Sequence, residues 1–279
     1  MWFTYLIPIV ASVAPLASAH GRITNITTEN GFVYEGWDPE MAFKDTVPPQ
    51  LAAWSASNLG NIYVTPSSFN NSNITCHKNA LPGALHVNTT AGQTLKLRWN
   101  EWPVSHKGPV LTYLASCNAS CTNVDKDQLK WVKVDQQGWL NSSGWVELGG
   151  TWASDVLIAN GFTWTVKVPE NLAEGAYVLR HEIIALHVAN ETDGAQAYPQ
   201  CVNIRVGKGS GTSASGNEFK RIEGGVDGRK LYGAKDKGIL VDIHYRIKGY
   251  DIPGPAIWNG ATTIKQPNEK RRMRKGDGE

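Results

Sequence analysis

The sequence predicts an all-β fold, an antiparallel immunoglobulin/fibronectin-like β-sandwich with long surface loops, on three observations. Apolar residues alternate with polar or small ones through Leu95, Leu97 and Trp99, through Trp164, Val166 and Val168, and through Ile239, Val241, Ile243 and Tyr245. Period-two alternation is the pattern of strands with one covered face. Turn-forming stretches separate such runs, as at Asn141-Ser142-Ser143-Gly144 and Glu170-Asn171-Leu172-Ala173-Glu174-Gly175. No long segment carries helical apolar spacing, so many short strands joined by Gly- and Asn-rich turns must bury their faces against one another.

In chain order, Met1 to Ala19 has no charged side chain, an apolar Leu6-Ile7-Pro8-Ile9-Val10 run and an Ala17-Ser18-Ala19 end. This is the pattern of a secretion signal with a small-x-small cleavage site. The apolar run is too short and too broken by Pro8 and Pro15 to span a bilayer, and no later stretch does so. The expected product is therefore extracellular, with no membrane partner, and a monomer. Residues 20–260 read as one β domain. Within them, residues 33–73 lack alternation and are rich in Pro, Ser, Asn and aromatic residues, which predicts a long ordered loop of the kind that carries function. Gly207 to Gly216 is Gly/Ser-rich and reads as a loop inside the domain. Residues 261–279 are expected to be a disordered basic tail.

The formal charge of +2 conceals that tail, since Ile264 onward holds Lys265, Lys270, Arg271, Arg272, Arg274 and Lys275 against Glu269, Asp277 and Glu279. Without it the body is close to neutral, which gives no basic footprint for nucleic acid. Four cysteines in a secreted chain favour disulfides over metal ligation. Three pairings are possible; a local Cys117–Cys121 bridge is easy to close and leaves Cys76 with Cys201. A loop that long stabilises by roughly 4 to 5 kcal/mol in the chain-entropy account. Sequons at Asn25, Asn70, Asn73, Asn88, Asn118, Asn141 and Asn190 suit the same compartment.

Cleavage after Ala19 makes His20 the first residue, able to chelate a metal through its α-amine and its ring together. The amine's ordinary pKa, about 7.7 to 8.0, lets a metal displace its proton near neutral pH. A signal that happens to end before a histidine would look the same, so the other features decide. Ser105-His106-Lys107-Gly108-Pro109-Val110 sets a histidine beside a Gly-Pro turn, and Gly194-Ala195-Gln196-Ala197-Tyr198-Pro199-Gln200-Cys201 sets Gln196 and Tyr198 two apart, on one face of a strand.

With these pieces in place the chain, from His20 to about Gly260, resembles the fungal lytic polysaccharide monooxygenases once classed as glycoside hydrolase family 61. Trp152-Ala153-Ser154-Asp155, Arg180-His181-Glu182-Ile183-Ile184-Ala185-Leu186-His187 and Ile252-Pro253-Gly254-Pro255 complete the ordered set. The resemblance implies one copper ion held by the amine and ring of His20 and the ring of His106, with Tyr198 axial and His187 and Gln196 beside it. It also implies oxidation of β-1,4-glucan, most directly crystalline cellulose, at carbon 1 or carbon 4, with O2 or H2O2 and an external reductant or electron-donor protein. Imidazole and amine donors suit copper. Lys107 stands where the family often has a second histidine, a change expected to alter surface charge.

A flat substrate calls for exposed rings; Tyr250 comes first by resemblance, with Phe43 and Trp37 in the early loop. His77, His86, His181 and His244 match no ligand role and are expected to be structural. Two rival readings remain. A zinc hydrolase also uses three nitrogen donors with an open position, but no H-E-x-x-H pattern supplies a base and Glu182 precedes His187 by five residues without a helix. A non-catalytic carbohydrate- or copper-binding sandwich would have the same fold but no need of the terminal histidine.

Overall fold

The computed structural model describes residues 21–44, 49–142, 148–208 and 219–267. The expected signal segment, His20, most of the Gly207–Gly216 loop and residues 268–279 lie outside them. The strands are β1 (Ile23–Thr28), β2 (Val33–Glu35), β3 (Val87–Thr90), β4 (Thr94–Trp99), β5 (Val110–Ser116), β6 (Lys130–Gln137), β7 (Trp139–Asn141), β8 (Thr151–Trp152), β9 (Thr163–Lys167), β10 (Gly175–Ala185), β11 (Gln196–Ala197), β12 (Gln200–Gly207) and β13 (Val226–Asp227). Three short helices, α1 (Met41–Lys44), α2 (Asn73–Cys76) and α3 (Ala153–Ala159), lie in the connections.

One sheet runs β2-β1-β4-β9 and a second β13-β6-β5-β10-β12-β3, with β11 added to β10 and only β12–β3 parallel among the pairs of the second, while β7 and β8 pair in a small sheet of their own. The predicted alternation in β4 and β9 holds, with Leu95, Leu97, Trp99, Trp164 and Val166 all buried between the sheets. Trp164 of β9 donates its indole N–H to Asp135 Oδ2 of β6 at 2.8 Å, one polar tie across that core.

The large sheet is covered on both faces, and β10 shows why this was hard to read as alternation. Tyr177, Leu179, Ile183 and Ala185 face the inter-sheet core, whereas Ala176, Val178 and Ile184 face a second core roofed by the 51–80 loop and the 226–252 segment. On that second face lie Arg180 and Glu182, both with no exposed side-chain surface and paired to each other. Arg180 Nη2 meets Glu182 Oε2 at 2.9 Å. Its remaining donors reach the Thr75 carbonyl at 2.7 Å and the Ile74 carbonyl at 2.8 Å, capping the end of α2. The Tyr232 hydroxyl donates to Glu182 and lies 2.7 Å from that of Tyr113. A buried pair that is fully hydrogen-bonded holds its surroundings in one arrangement, and removal of one partner costs about 3–5 kcal/mol. Lys133 adds a second anchor: its ammonium donates to the Pro253 carbonyl at 2.7 Å and its own carbonyl accepts from Trp258 N–H at 2.8 Å. Burial pulls this lysine down to about 8, with Glu182 opposing.

Both disulfides are formed, Cys76–Cys201 and Cys117–Cys121. The first joins the end of α2 to β12, beside the carbonyls that Arg180 holds.

Two expectations need correction. Residues 239–245 form no strand: Ile239 and Ile243 are buried as the alternation requires, but the segment lies over a sheet face. Of its backbone, Val241 N–H reaches the Ala189 carbonyl at 2.8 Å. Alternation here reports burial without a strand partner. Nor does the folded part end at 260. Thr262 Oγ1 accepts from Glu170 N–H at 3.2 Å, and the buried Gln266 carboxamide accepts from Thr165 N–H at 3.0 Å and donates to Thr165 O at 2.8 Å. Truncation after Gly260 should therefore destabilise by about 1–3 kcal/mol, the cost of leaving such groups unpaired, while truncation after Pro267 should leave the unfolding midpoint unchanged; thermal denaturation of the two forms checks this.

A pH dependence follows from two buried histidines. Burial pulls His77 down to about 4, against the nearby Ile62 carbonyl, and pulls His181 down to about 3, with Arg180 adding to the effect. Because the unfolded chain protonates first, near the ordinary value of about 6.5, their contribution is full above that pH and lost as pH falls toward 4 and then 3. Stability should drop by about 2 kcal/mol per pH unit between pH 6 and 4.5 from the two together. His181→Gln should roughly halve the slope in denaturant titrations across that range.

Candidate functional site

The segment after β4 turns back on itself to present His106. His106 N–H bonds to the Pro103 carbonyl at 3.0 Å, and the Trp102 indole donates to the His106 carbonyl at 2.8 Å. The next residues lie against the end of β10, where Leu186 N–H reaches Lys107 O at 2.8 Å and Ile184 N–H reaches Pro109 O at 3.2 Å. Gly108 permits this approach, since a Cβ there would collide with the Ile184 carbonyl. On the other side the start of α3 holds the same turn. Gly108 N–H donates to Ser154 Oγ and Ser154 N–H to Gly108 O, each at 3.2 Å. Lys107 pairs with the buried Asp155 carboxylate, which also accepts from Trp152 N–H at 2.9 Å. Lys107 is thus an anchor of the turn, and the surface charge expected of it is neutralised.

Four sequence-predicted residues come together here. The rings of His106 and His187 stack with centroids 3.9 Å apart and planes at 30°. His187 stands two residues beyond the end of β10, so the strand that meets the Gly108 turn also delivers the second imidazole. Gln196 and Tyr198 share a face as expected, and the Tyr198 hydroxyl donates to Gln196 Oε1 at 2.7 Å. Tyr198 N–H bonds to Ile183 O at 3.0 Å, and three residues later Cys201 is bridged. The Trp102 ring stands edge-on to both His106 (5.9 Å) and Tyr198 (5.1 Å), closing the cluster from behind. Burial holds the Tyr198 phenol above its ordinary range, and Tyr63 adds to this, so it stays protonated.

His20 lies outside the described residues, but its neighbour is placed. Arg22 N–H donates to Asn100 Oδ1 and Ile23 N–H to Gln200 Oε1, both at 2.7 Å. Gly21 is buried against the Glu101 carbonyl and lines one cavity wall with Tyr198. Among the described residues no group of three or more His, Cys, Asp or Glu side chains could hold a metal. Glu182, the carboxylate a hydrolase would need, is buried in its pair with Arg180.

The aromatic candidates differ in exposure. Phe43 on α1 is 79% exposed. Trp37 is half-buried, its indole donating to the Ala56 carbonyl at 2.8 Å. Tyr250 is also half-buried, with its hydroxyl donating to the Gly238 carbonyl at 2.6 Å and its ring packed on Trp152. Tyr245, which alternation assigned to a strand, is 72% exposed on the segment tied by Val241 to the turn after His187. The other histidines have local duties: His181 Nδ1 lies 2.9 Å from Thr112 Oγ1, His86 accepts from Cys121 N–H, and His244 sits exposed beside Asp242. His77 is buried behind the site. Of the sequon asparagines, Asn70, Asn88, Asn118 and Asn190 are exposed, while Asn25, Asn73 and Asn141 are half-buried.

Comparison with known proteins decides the family, because residues 20–250 match the sequence profile of Auxiliary Activity family 9, formerly GH61. The chain belongs to that family. It is 45% identical over 254 residues to AA9 family lytic polysaccharide monooxygenase A of Talaromyces verruculosus, covering 90% of this chain and 73% of that one. To AA9 family lytic polysaccharide monooxygenase I of Botryotinia fuckeliana it is 41% identical, covering 89% and 88%. Among solved structures, the extended catalytic domain of H. jecorina LPMO9A matches with a TM-score of 0.79 at 44% identity, over 88% of this chain and 94% of that one. As an AA9 member the protein is a copper-dependent polysaccharide monooxygenase on a β-sandwich.

In this AA9 chain Gly108→Ala should force the 103–109 turn off β10 and separate the two stacked rings. The expected loss is about 1–3 kcal/mol of stability, as for other overpacked sites, with weaker copper binding by titration calorimetry. Gly249→Ala, where an added Cβ meets nothing within 4 Å, serves as the control and should change neither.

Proposed function

We propose that the protein is secreted, loses residues 1–19 and oxidatively cleaves β-1,4-glucan chains of cellulose at carbon 1 or carbon 4, fed by an external reductant. The observation that carries this is the convergence of His106, His187, Gln196 and Tyr198 from separate segments beside the place where Gly21 enters β1. The donor chemistry fits copper. His106 would offer an imidazole held by its own backbone, the protonated phenol of Tyr198 could offer only a weak contact, and a free α-amine on His20 would complete three nitrogens.

Copper, when bound, supplies one-electron chemistry with O2 or H2O2 strong enough to break a sugar C–H bond. The chain's own residues then have definable tasks. The stack on His187 fixes the His106 ring plane. Gln196 spends its carbonyl on Tyr198, which leaves its N–H2, without a partner among the described residues, to donate toward an oxygen at the site. The buried Trp102 excludes water from the inner side. For sugar contact the open ring faces are those of Phe43 and Tyr245, with Trp37 and Tyr250 offering partial faces. Stacking on such rings needs no deep pocket.

The test is one extra residue before His20. It turns the α-amine into an amide whose lone pair is delocalised, while every contact described above remains. The extended form should unfold at the same temperature as the processed form, bind copper at least about 100-fold more weakly and release no oxidised cello-oligosaccharides from cellulose with ascorbate. His106→Ala should match it. Equal copper affinity and products from the extended and processed forms would defeat the assignment of the amine.

A further inference from the structure

Behind Tyr198, between the start of β1 and the 57–62 loop, a small cavity of about 20 Å3 is lined by Gly21, Arg22, Asn58, His77, Tyr198 and Gln200, among others. That is room for one water molecule. Three of these residues carry buried polar atoms with no hydrogen-bond partner among the described residues: Arg22 Nε, Asn58 Oδ1 and His77 Nε2, the last near the Ile62 carbonyl but outside hydrogen-bonding geometry with it. His77 is only 1% exposed. Buried polar atoms are paired in nearly all native proteins, with protein or with ordered water. Three orphans on one cavity of this size therefore call for a shared partner.

The chemistry of that partner can be read from the three atoms. The His77 ring accepts at Nδ1 from Lys78 N–H at 2.8 Å, so its proton sits on Nε2 and that nitrogen donates. Arg22 Nε donates under all conditions. Asn58 Oδ1 accepts. A metal cation would face two donors, one of them charged, and an anion would face the amide oxygen. Water accepts from both donors and gives one of its own protons to Asn58.

We propose that this cavity is a binding site for a single structural water that bridges Arg22, Asn58 and His77 and thereby positions the amino-terminal residues of the processed chain. Arg22 is otherwise held by its N–H to Asn100 and by an Nη2 contact to Asp38 Oδ2 at 2.7 Å. Both hold it from the outer side. The water ties the same residue inward, to the loop before α2 and to the residue after it. Arg22, and through it the buried Gly21, is thus braced from two directions. The bridge deepens the copper reading and rests on it for its effect on metal binding, whereas the water itself does not depend on that reading.

The first arm of the test is a high-resolution crystal structure of the processed protein. One ordered water within about 2.6–3.2 Å of all three atoms is expected; direct contacts among the three side chains, or an empty cavity, would overturn the site. The second arm compares Asn58→Asp, which keeps the acceptor, with Asn58→Leu, which removes it and fills the space. Asn58→Leu should weaken copper binding about 10-fold, within the range for groups that orient ligands, and Asn58→Asp should stay within about 2-fold of the parent. Equal affinity in all three forms, with the water present in the parent, would remove the positioning role. Failure of copper to bind even the processed parent would instead count against the copper site, leaving the crystallographic arm to decide the water.

Discussion

The ion pair between Arg180 and Glu182 is the constraint on which the layout of this sandwich rests. A guanidinium and a carboxylate on the outer face of a central strand can remain charged without water only if their donors and acceptors are met. Meeting them draws in the carbonyls at the end of α2 and the hydroxyl of Tyr232. Two long connections are thereby clamped to the same side of one sheet. The Cys76–Cys201 bridge lies beside the first of them, so the covalent and electrostatic ties reinforce one another. The strand bearing the pair ends at Ala185, two residues before His187, and its last residues receive the Gly108 turn. Placement of both imidazoles is in this sense downstream of a buried charge pair that touches neither.

Much of this was legible in the sequence, for identifiable reasons. Strands β4 and β9 are covered on one face and alternate accordingly. The Gln196/Tyr198 pair is two apart on a strand, so its common face is a matter of pleat geometry. What escaped reading obeys other physics. Strand β10 is buried on both faces and shows no alternation, while residues 239–245 alternate yet lie on a roof with no neighbouring strand. The helix α3 is one and a half to two turns long, too short for a period to register. Gln266 looks like any residue of a basic tail until its carboxamide is seen against Thr165. The three residues around the small cavity are scattered over 22, 58 and 77, and no local pattern links them.

The rings once expected to serve the substrate divide in the same way. A sequence shows that a tyrosine precedes Ile252-Pro253-Gly254-Pro255, but not that its hydroxyl is spent on Gly238 and its ring on Trp152. Nor does it show that a neighbour five residues earlier is open. Exposure is a property of packing, and along irregular segments it has no short-range signature. Lys107 makes the converse point: a charge next to a surface turn was drawn into an anchor because α3 places a buried carboxylate opposite it.

The contact between Gln266 and Thr165 has a further bearing. Strand β9 is the edge of its sheet, and an edge with open N–H and C=O groups is a template on which another chain can add a strand. Proteins commonly blunt such edges with lysine, proline or a bulge. Here a single side-chain amide, which offers the same donor and acceptor as a peptide group, occupies the outward pair of Thr165. The edge is closed at its middle by a mimic of the strand that would otherwise dock there. Self-association through β9, of the kind that seeds aggregation, thus meets an edge whose central hydrogen bonds are already made.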